Sequence, residues 1–136
     1  MIGQYFTIPE YNWEVEVYYG IEKYDINFCI RKLRKYTTQT NVYKECIKTL
    51  NTNKKNRGFT YTSYRFNKSV IFIGVPSSTG ELLNTIVHEA NHLKSHIATY
   101  YDLNEKDEEV CYIIGEIAKQ MSNTFIKLIC NNFLDI

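Results

Sequence analysis

The sequence predicts an α+β domain in which a small antiparallel sheet packs on helices. Three observations predict it: a strand-like stretch near the N-terminus, a pair of strand-like stretches in the middle, and apolar residues at helical spacing on either side of that pair. The helices are grouped before and after the strand pair instead of alternating with single strands, which is typical of an α+β arrangement. A chain of 136 residues is expected to fold as a single domain, residues 1–136.

The first half of the chain predicts one strand and two helices. Residues 1–12 follow no periodic pattern and are expected to form an irregular lead-in. Residues 13–19 alternate apolar and acidic side chains, as a strand with one buried face does. Apolar side chains then recur every three or four positions in residues 26–35 and again in residues 42–50, which predicts a helix in each.

The second half predicts a β-hairpin followed by helices. Residues 58–66 and 69–75 are rich in β-branched and aromatic side chains, and the short polar turn between them predicts antiparallel pairing. Ser78 and Glu81 fit a capping box at the start of the next helix. Helices are expected at residues 79–99, 105–121 and 124–133.

Charge and hydropathy argue against two classes of partner. The chain has sixteen basic and fifteen acidic residues, and this balance gives no reason to expect binding to nucleic acid or to an anionic membrane. The longest apolar run, residues 70–75, is too short to span a bilayer. No basic stretch followed by an apolar run opens the sequence, so a cytoplasmic protein is expected.

The four cysteines predict thiols and not a thiolate metal site. They are widely spaced, and no CxxC pair occurs. Each has apolar neighbours in a predicted helix, so we expect buried free thiols at Cys29, Cys46, Cys111 and Cys130, with disulfides as the alternative.

One motif carries specific chemistry, the His-Glu-x-x-His formed by residues 88–92 inside the predicted helix 79–99. Residues four apart lie on the same face of a helix, about 6 Å apart along its axis. His88 and His92 can therefore hold one Zn²⁺, and Glu89 can act on a water beside the metal.

A helical wheel places this motif at the border of the predicted core. His88, His92 and Glu89 fall within about 100° of one another on the polar face. Glu89 lies at the edge where that face meets the apolar stripe, which includes Ile86 and Leu93. A side chain at such an edge is expected to line a cleft.

A catalytic zinc needs a third protein ligand, and the sequence offers several. His96 is about 12 Å from His88 along a continuous helix, too far to converge with both histidines, so we expect a supporting or surface role for it. The next helix carries Glu108 and Glu109. Glu108 is favoured if that helix packs on the histidine helix through its strip of small residues, which are Cys111, Gly115 and Ala118.

Residues 69–121 resemble the core of zincin metallopeptidases of the gluzincin kind. The resemblance is carried by the strand Val70-Ile71-Phe72-Ile73, by Thr85-Ile86-Val87-His88-Glu89-Ala90-Asn91-His92, and by Glu108-Glu109-Val110-Cys111-Tyr112-Ile113-Ile114-Gly115. It implies that His88, His92 and Glu108 bind Zn²⁺ and that Glu89 is the general base. It also implies that residues 70–75 form the edge of the sheet, along which an extended peptide or protein substrate lies.

The first functional hypothesis is therefore a zinc-dependent metallohydrolase, and among hydrolases a peptidase. Tyr112, one turn beyond Glu108, is a candidate to hydrogen-bond the developing oxyanion, and a tyrosine at the core boundary is the alternative. A second hypothesis is a non-catalytic zinc-binding module for regulation or protein interaction, with His96 or Asp102 completing a closed coordination sphere. A third has no metal at all.

Overall fold

The computed structural model describes the backbone of residues 1–132 and the side chains of residues 1–130, so the predicted helical position Phe133 lies outside the described residues. Four strands and four helices occur in that part of the chain. In chain order they are β1 (Ile2–Ile8), β2 (Trp13–Ile21), α1 (Ile26–Arg34), α2 (Thr40–Leu50), β3 (Gly58–Ser63), β4 (Lys68–Gly74), α3 (Thr79–Tyr100) and α4 (Glu108–Asn132).

The four strands form one mixed sheet in the order β1-β2-β4-β3. The β1–β2 and β3–β4 pairs are antiparallel, whereas β2 and β4 are parallel. The predicted α+β class and hairpin are confirmed, but the sheet is not wholly antiparallel.

The prediction that residues 70–75 form a sheet edge is wrong. Strand β4 lies between β2 and β3, and the edges of the sheet are β1 and β3. The physical reason is that the side chains from Val70 to Ile73 are all buried, alternately against the two faces of the sheet. A strand that is buried on both faces belongs in the interior of a sheet.

The predicted irregular lead-in is also wrong, because residues 2–8 form β1. This strand pairs with β2 along its whole length, from Ile2 opposite Tyr19 to Ile8 opposite Trp13. Only Ile8 of β1 is fully buried, so the strand carries little local hydrophobic pattern and is held mainly by its partner. A short 3₁₀ turn at Pro9–Tyr11 then leads into β2.

Helices cover both faces of the sheet. Helices α3 and α4 pack on one face, where Trp13, Ile71 and Leu93 are fully buried in a shared core. Helices α1 and α2 pack on the other face around Leu33 and Phe72. The sheet is thus the middle layer of three, and α3 lies on it close to the β3 edge.

The predicted boundaries of α3 are close to those observed, and those of α4 are not. The Ser78 hydroxyl accepts a hydrogen bond from the Glu81 amide at 3.1 Å and caps α3. Helix α4 begins at Glu108 and is continuous, where the sequence predicted two segments starting at residue 105. Its second half stays helical because Phe125, Leu128 and Ile129 pack on the same core as its first half.

The cysteine prediction is half right. Cys29 and Cys46 are buried in the core between the sheet and helices α1 and α2. Cys111 and Cys130 are exposed, because they lie on the outer face of α4 and not on its core-facing side. Across residues 1–132, no helix is both long and apolar enough to cross a bilayer.

Candidate metal centre

His88 and His92 lie side by side on the exposed face of α3. Their Nε2 atoms are 3.2 Å apart, as the one-turn spacing on the helix predicts. Two nitrogens bound to one tetrahedral Zn²⁺ at the usual Zn–N distance would be about 3.3 Å apart. The two Nε2 atoms are within hydrogen-bond distance of each other, and their separation is also close to that of two ligands on a single zinc ion.

Glu89 lies beneath the pair, between α3 and β3. It is only 4% exposed, and its Oε2 is 3.8 Å from Nε2 of His88. The hydroxyl of Thr60 on β3 donates a hydrogen bond to its Oε1 at 2.9 Å. A Cβ atom at Gly58 would lie 2.7 Å from Cγ of Glu89, so the missing side chain at Gly58 makes room for the carboxylate.

The environment of Glu89 makes it a stronger proton acceptor than an ordinary glutamate. Burial raises the pKa of its carboxyl, while the hydrogen bond from Thr60 and the electrostatic interaction with the nearby His88 and His92 rings act in the opposite direction. The net shift is upward. A carboxylate with a raised pKa next to a candidate metal position is suited to general-base chemistry.

His96 connects α3 to β3 and does not join the pair. Its Nδ1 is 2.7 Å from the hydroxyl of Thr62, which is 2.7 Å from the hydroxyl of Ser69. The indole N–H of Trp13 donates to the same Ser69 oxygen at 3.0 Å. This buried chain of hydrogen bonds gives His96 a supporting position, and burial lowers the pKa of its ring.

The structure does not bring Glu108, Glu109 or Tyr112 to the histidine pair. Helix α4 packs on α3 and β1, whereas Glu89 and His96 face β3 at the opposite edge of the sheet. Glu108 is exposed, Glu109 accepts a hydrogen bond from the Tyr11 hydroxyl at 2.7 Å, and Tyr112 lines a groove beside them. Over the described side chains, no group of three His, Cys, Asp or Glu residues is placed to hold a metal ion.

Glu108 lies away from the histidines because α4 packs on α3 through a different face from its strip of small residues. Cys111 and Gly115 of the small-residue strip are exposed, and a Cβ atom at Gly115 would meet nothing within 4 Å. The buried face of α4 consists of larger apolar residues, Val110, Ile113, Ile117 and Met121. Burying these side chains removes more apolar surface from water than burying the small strip would.

Sequence reasoning missed the contribution of β3 to the site. Gly58, Thr60 and Thr62 alternate along the strand, so all three face α3, where they meet Glu89 or His96. Small and hydroxyl-bearing residues at every second position of a strand were the available signal.

Comparison with protein-family models, with curated proteins and with solved structures finds no match to this chain. The chemical assignment of the site therefore depends on its own residues.

Those residues supply part of what a zinc ion requires. Two imidazole nitrogens at tetrahedral spacing suit zinc, and a buried carboxylate lies next to them. A catalytic zinc has three protein ligands, and the described residues place two. The described residues therefore match two of the three protein ligands that a catalytic zinc requires, and no third one is placed beside them.

Proposed function

We propose that this protein is a zinc-dependent metallohydrolase that cleaves a peptide bond. The observation that carries the proposal is the 3.2 Å separation of the His88 and His92 Nε2 atoms directly above the buried Glu89. Two candidate metal ligands and a candidate general base thus lie within about one turn of one helix.

Each of the three residues has a distinct role in the proposal. His88 and His92 would hold the metal. Zinc bound there would polarise the substrate carbonyl and acidify a nearby water. Glu89 would accept a proton from a water beside the metal and pass it to the leaving nitrogen, since its buried carboxylate lies 3.8 Å from Nε2 of His88.

The substrate path follows β3 and not the 70–75 strand. Strand β3 is an edge of the sheet, so one side of its backbone is available to pair with an extended chain. Thr60 of the same strand contacts Glu89, and a peptide paired with β3 would therefore pass the general base.

Zinc content and hydrolysis together test the proposal. Protein purified without added zinc should contain the metal, and His88→Ala or His92→Ala should lose it. Glu89→Gln should keep zinc and lose hydrolysis, because the amide cannot accept the proton. Full activity in Glu89→Gln would contradict the mechanism.

The exposed Glu108 provides a control. Because it is not placed with the histidines, Glu108→Gln should leave zinc affinity and hydrolysis unchanged. Loss of zinc in this variant would restore Glu108 as a ligand and would require α4 to move.

A second candidate function is a non-catalytic zinc-binding interaction module. It is favoured by one observation, that no third His, Cys, Asp or Glu joins His88 and His92 among the described side chains, so a partner protein would supply the remaining ligands. Zinc binding without any hydrolysis, strengthened by a partner, would distinguish it from the enzyme. The four free thiols support a cytoplasmic location for either function.

A further inference from the structure

A groove of about 610 Å³ lies beside the C-terminal end of β3. One wall is the connection between α1 and α2, and the other is the end of β3 with the turn into β4. Three basic side chains and several aromatic rings line it, among them Arg34, Lys35, Arg65, Tyr61, Tyr64 and Phe66.

The charge of this groove is uncompensated. No Asp or Glu lines it, and none of its three basic residues forms an ion pair among the described side chains. The guanidinium carbon of Arg65 lies 5.3 Å from the Phe66 ring centre, and that of Arg34 lies 5.8 Å from the Tyr43 ring centre. These cation–π contacts position the two guanidinium groups but leave their positive charge unpaired with any carboxylate.

The groove lies at the end of β3, the strand that borders the candidate metal centre, but on the face of the sheet that α1 and α2 cover. The side chains of a chain paired with β3 would point alternately towards this face and towards the face of Glu89. Residues 61–64 line the groove, while Thr60 contacts Glu89. From Thr60 to Tyr64 the chain advances about 13 Å, or four residues of an extended peptide. A chain paired with β3 beside Glu89 would therefore reach the basic side chains within three to five residues.

We propose that this groove binds an acidic, extended segment of a polypeptide, whose Asp or Glu side chains contact Arg34, Lys35 and Arg65. The inference rests on the proposed function, in that the same segment continues along β3 to the bond beside Glu89. It identifies the substrate class as polypeptides with acidic residues three to five positions from that bond.

Peptide binding to the Glu89→Gln protein tests the inference. The probes are a fluorescein-labelled decapeptide with four consecutive Glu residues and a Tyr, and the same peptide with Gln in place of Glu. The Glu peptide should bind at least tenfold more tightly by fluorescence anisotropy, with an affinity that falls as salt is added. Arg34→Ala/Arg65→Ala should remove that tenfold advantage and leave the binding of the Gln peptide unchanged.

Two controls show whether charge acts at this groove and along this strand. Lys54→Ala/Lys55→Ala removes the same charge from exposed lysines that line a different depression, and affinity should stay within twofold. A Glu peptide with alternate backbone N-methyl groups cannot pair with a strand edge, and it should bind at least tenfold more weakly.

Four results would overturn the inference. They are equal affinity for the Glu and Gln peptides, an equal loss in the Lys54/Lys55 variant, unchanged binding of the N-methylated peptide, or displacement of the peptide by a single-stranded oligonucleotide that binds more tightly. The last result would assign the groove to nucleic acid.

Failure of the inference can be told apart from failure of the proposed function. The same binding series is run on His88→Ala/His92→Ala, where no zinc site remains. If acidic-peptide binding persists there but wild-type protein contains no zinc and hydrolyses nothing, the groove assignment holds and the enzyme proposal fails. If the wild-type protein shows zinc-dependent hydrolysis without any preference for acidic peptides, the enzyme proposal holds and the groove assignment fails.

Discussion

Glu16 is the most heavily engaged charged residue among those described, and it lies outside the candidate metal centre. It lies on β2 and is only 2% exposed. Three tyrosine hydroxyls donate hydrogen bonds to its carboxylate, those of Tyr5 and Tyr18 at 2.6 Å and that of Tyr36 at 2.9 Å. Two ammonium groups form ion pairs with it, that of Lys32 at 3.4 Å and that of Lys68 at 3.3 Å. Burial on its own would raise the pKa of Glu16. The tyrosine hydrogen bonds and the charge of Lys68 outweigh it and lower the pKa to about 2.

This shift makes stability depend on pH in a defined window. Because the pKa of Glu16 is lower in the folded protein than its ordinary value of 4.5, its stabilisation is complete above pH 4.5 and is lost as pH falls towards about 2. Glu16→Gln should lower the free energy of unfolding by about 3 kcal/mol at pH 7, since two lysines lose their partner. The variant should also lose less stability than wild type between pH 5 and pH 2.

Urea denaturation at a series of pH values measures both effects. The matched control is Glu14→Gln on the same strand, because Glu14 is 64% exposed and its contact with Lys68 is longer, 3.9 Å. Glu14→Gln should change stability by less than about 1 kcal/mol. An equal loss in the two variants would show that the buried cluster adds nothing specific.

Gly58 provides a second test at the scale of a residue, now at the candidate site. Gly58→Ala would place a Cβ atom 2.7 Å from Cγ of Glu89, so the carboxylate must move. A displacement of about 1 Å of a catalytic group can lower a rate about a hundredfold, and kcat/KM should fall by that order while zinc content stays unchanged. Gly80→Ala is the control, because its nearest neighbour would be the Ser78 hydroxyl at 3.9 Å. Full activity in Gly58→Ala would contradict the requirement for the close placement of Glu89 against β3.

At the scale of an element, α4 shows which local signals determine packing. The sequence favours its strip of small residues as the contact surface, but the buried face consists of Val110, Ile113, Ile117 and Met121. The larger apolar side chains form the buried face because their burial contributes more to the free energy of folding than burial of the small residues would. Because the small-residue strip that Glu108 borders is not the buried face, Glu108 is exposed and lies away from the histidines.

The packing of α4 makes a prediction of its own. Gly115 is exposed on a helix and has no neighbour within 4 Å of an added Cβ, so Gly115→Ala should stabilise the protein by about 0.5–1 kcal/mol through helix propensity. The comparison is Ile117→Ala, which removes a fully buried side chain and should cost about 2–4 kcal/mol. Chemical denaturation measures both. Destabilisation by Gly115→Ala would mean that the small strip packs on another element.

At the scale of the whole molecule, the sequence predicts what neighbours along the chain determine. The histidine pair, Glu89 and the Ser78 cap belong to one helix, and local spacing was sufficient to place them. The order of strands in a sheet depends on pairing between segments that are far apart in the chain. The position of β4 inside the sheet is indicated only by its continuous apolar stretch from Val70 to Ile73, since a strand with one buried face would alternate apolar and polar residues.

The contacts that join the site residues of α3 to those of β3 could likewise not be predicted from the sequence. Thr60 and Gly58 meet Glu89 from a strand about thirty residues earlier in the chain, and no periodicity in either segment specifies that meeting. The sequence favours α4 for the third metal ligand because that helix carries acidic residues and the gluzincin resemblance implies a carboxylate from a neighbouring helix. In space, β3 is the neighbour of the histidine face, and α4 lies on the other flank of α3.

Metal binding should couple this local site to the stability of the whole fold. His88 and His92 are held at ligand spacing only while α3 is folded, so zinc should bind the native state in preference to the unfolded chain. Zinc at a hundred times its Kd should then raise the free energy of unfolding by about 2.7 kcal/mol, measured as an increase in Tm that a chelator reverses. Each variant is compared with and without zinc, so that a change in its baseline stability cancels.

The three histidines of the chain separate a ligand effect from a structural one. His92→Ala should abolish the zinc-dependent increase in Tm. His96→Gln should lower the baseline Tm, because the contact with Thr62 between α3 and β3 is weakened, yet it should keep the full increase on adding zinc. If His96→Gln also abolishes the increase, His96 is a ligand and α3 must bend to bring it to the pair. If zinc leaves the wild-type Tm unchanged, the 3.2 Å spacing belongs to a histidine pair that binds no zinc.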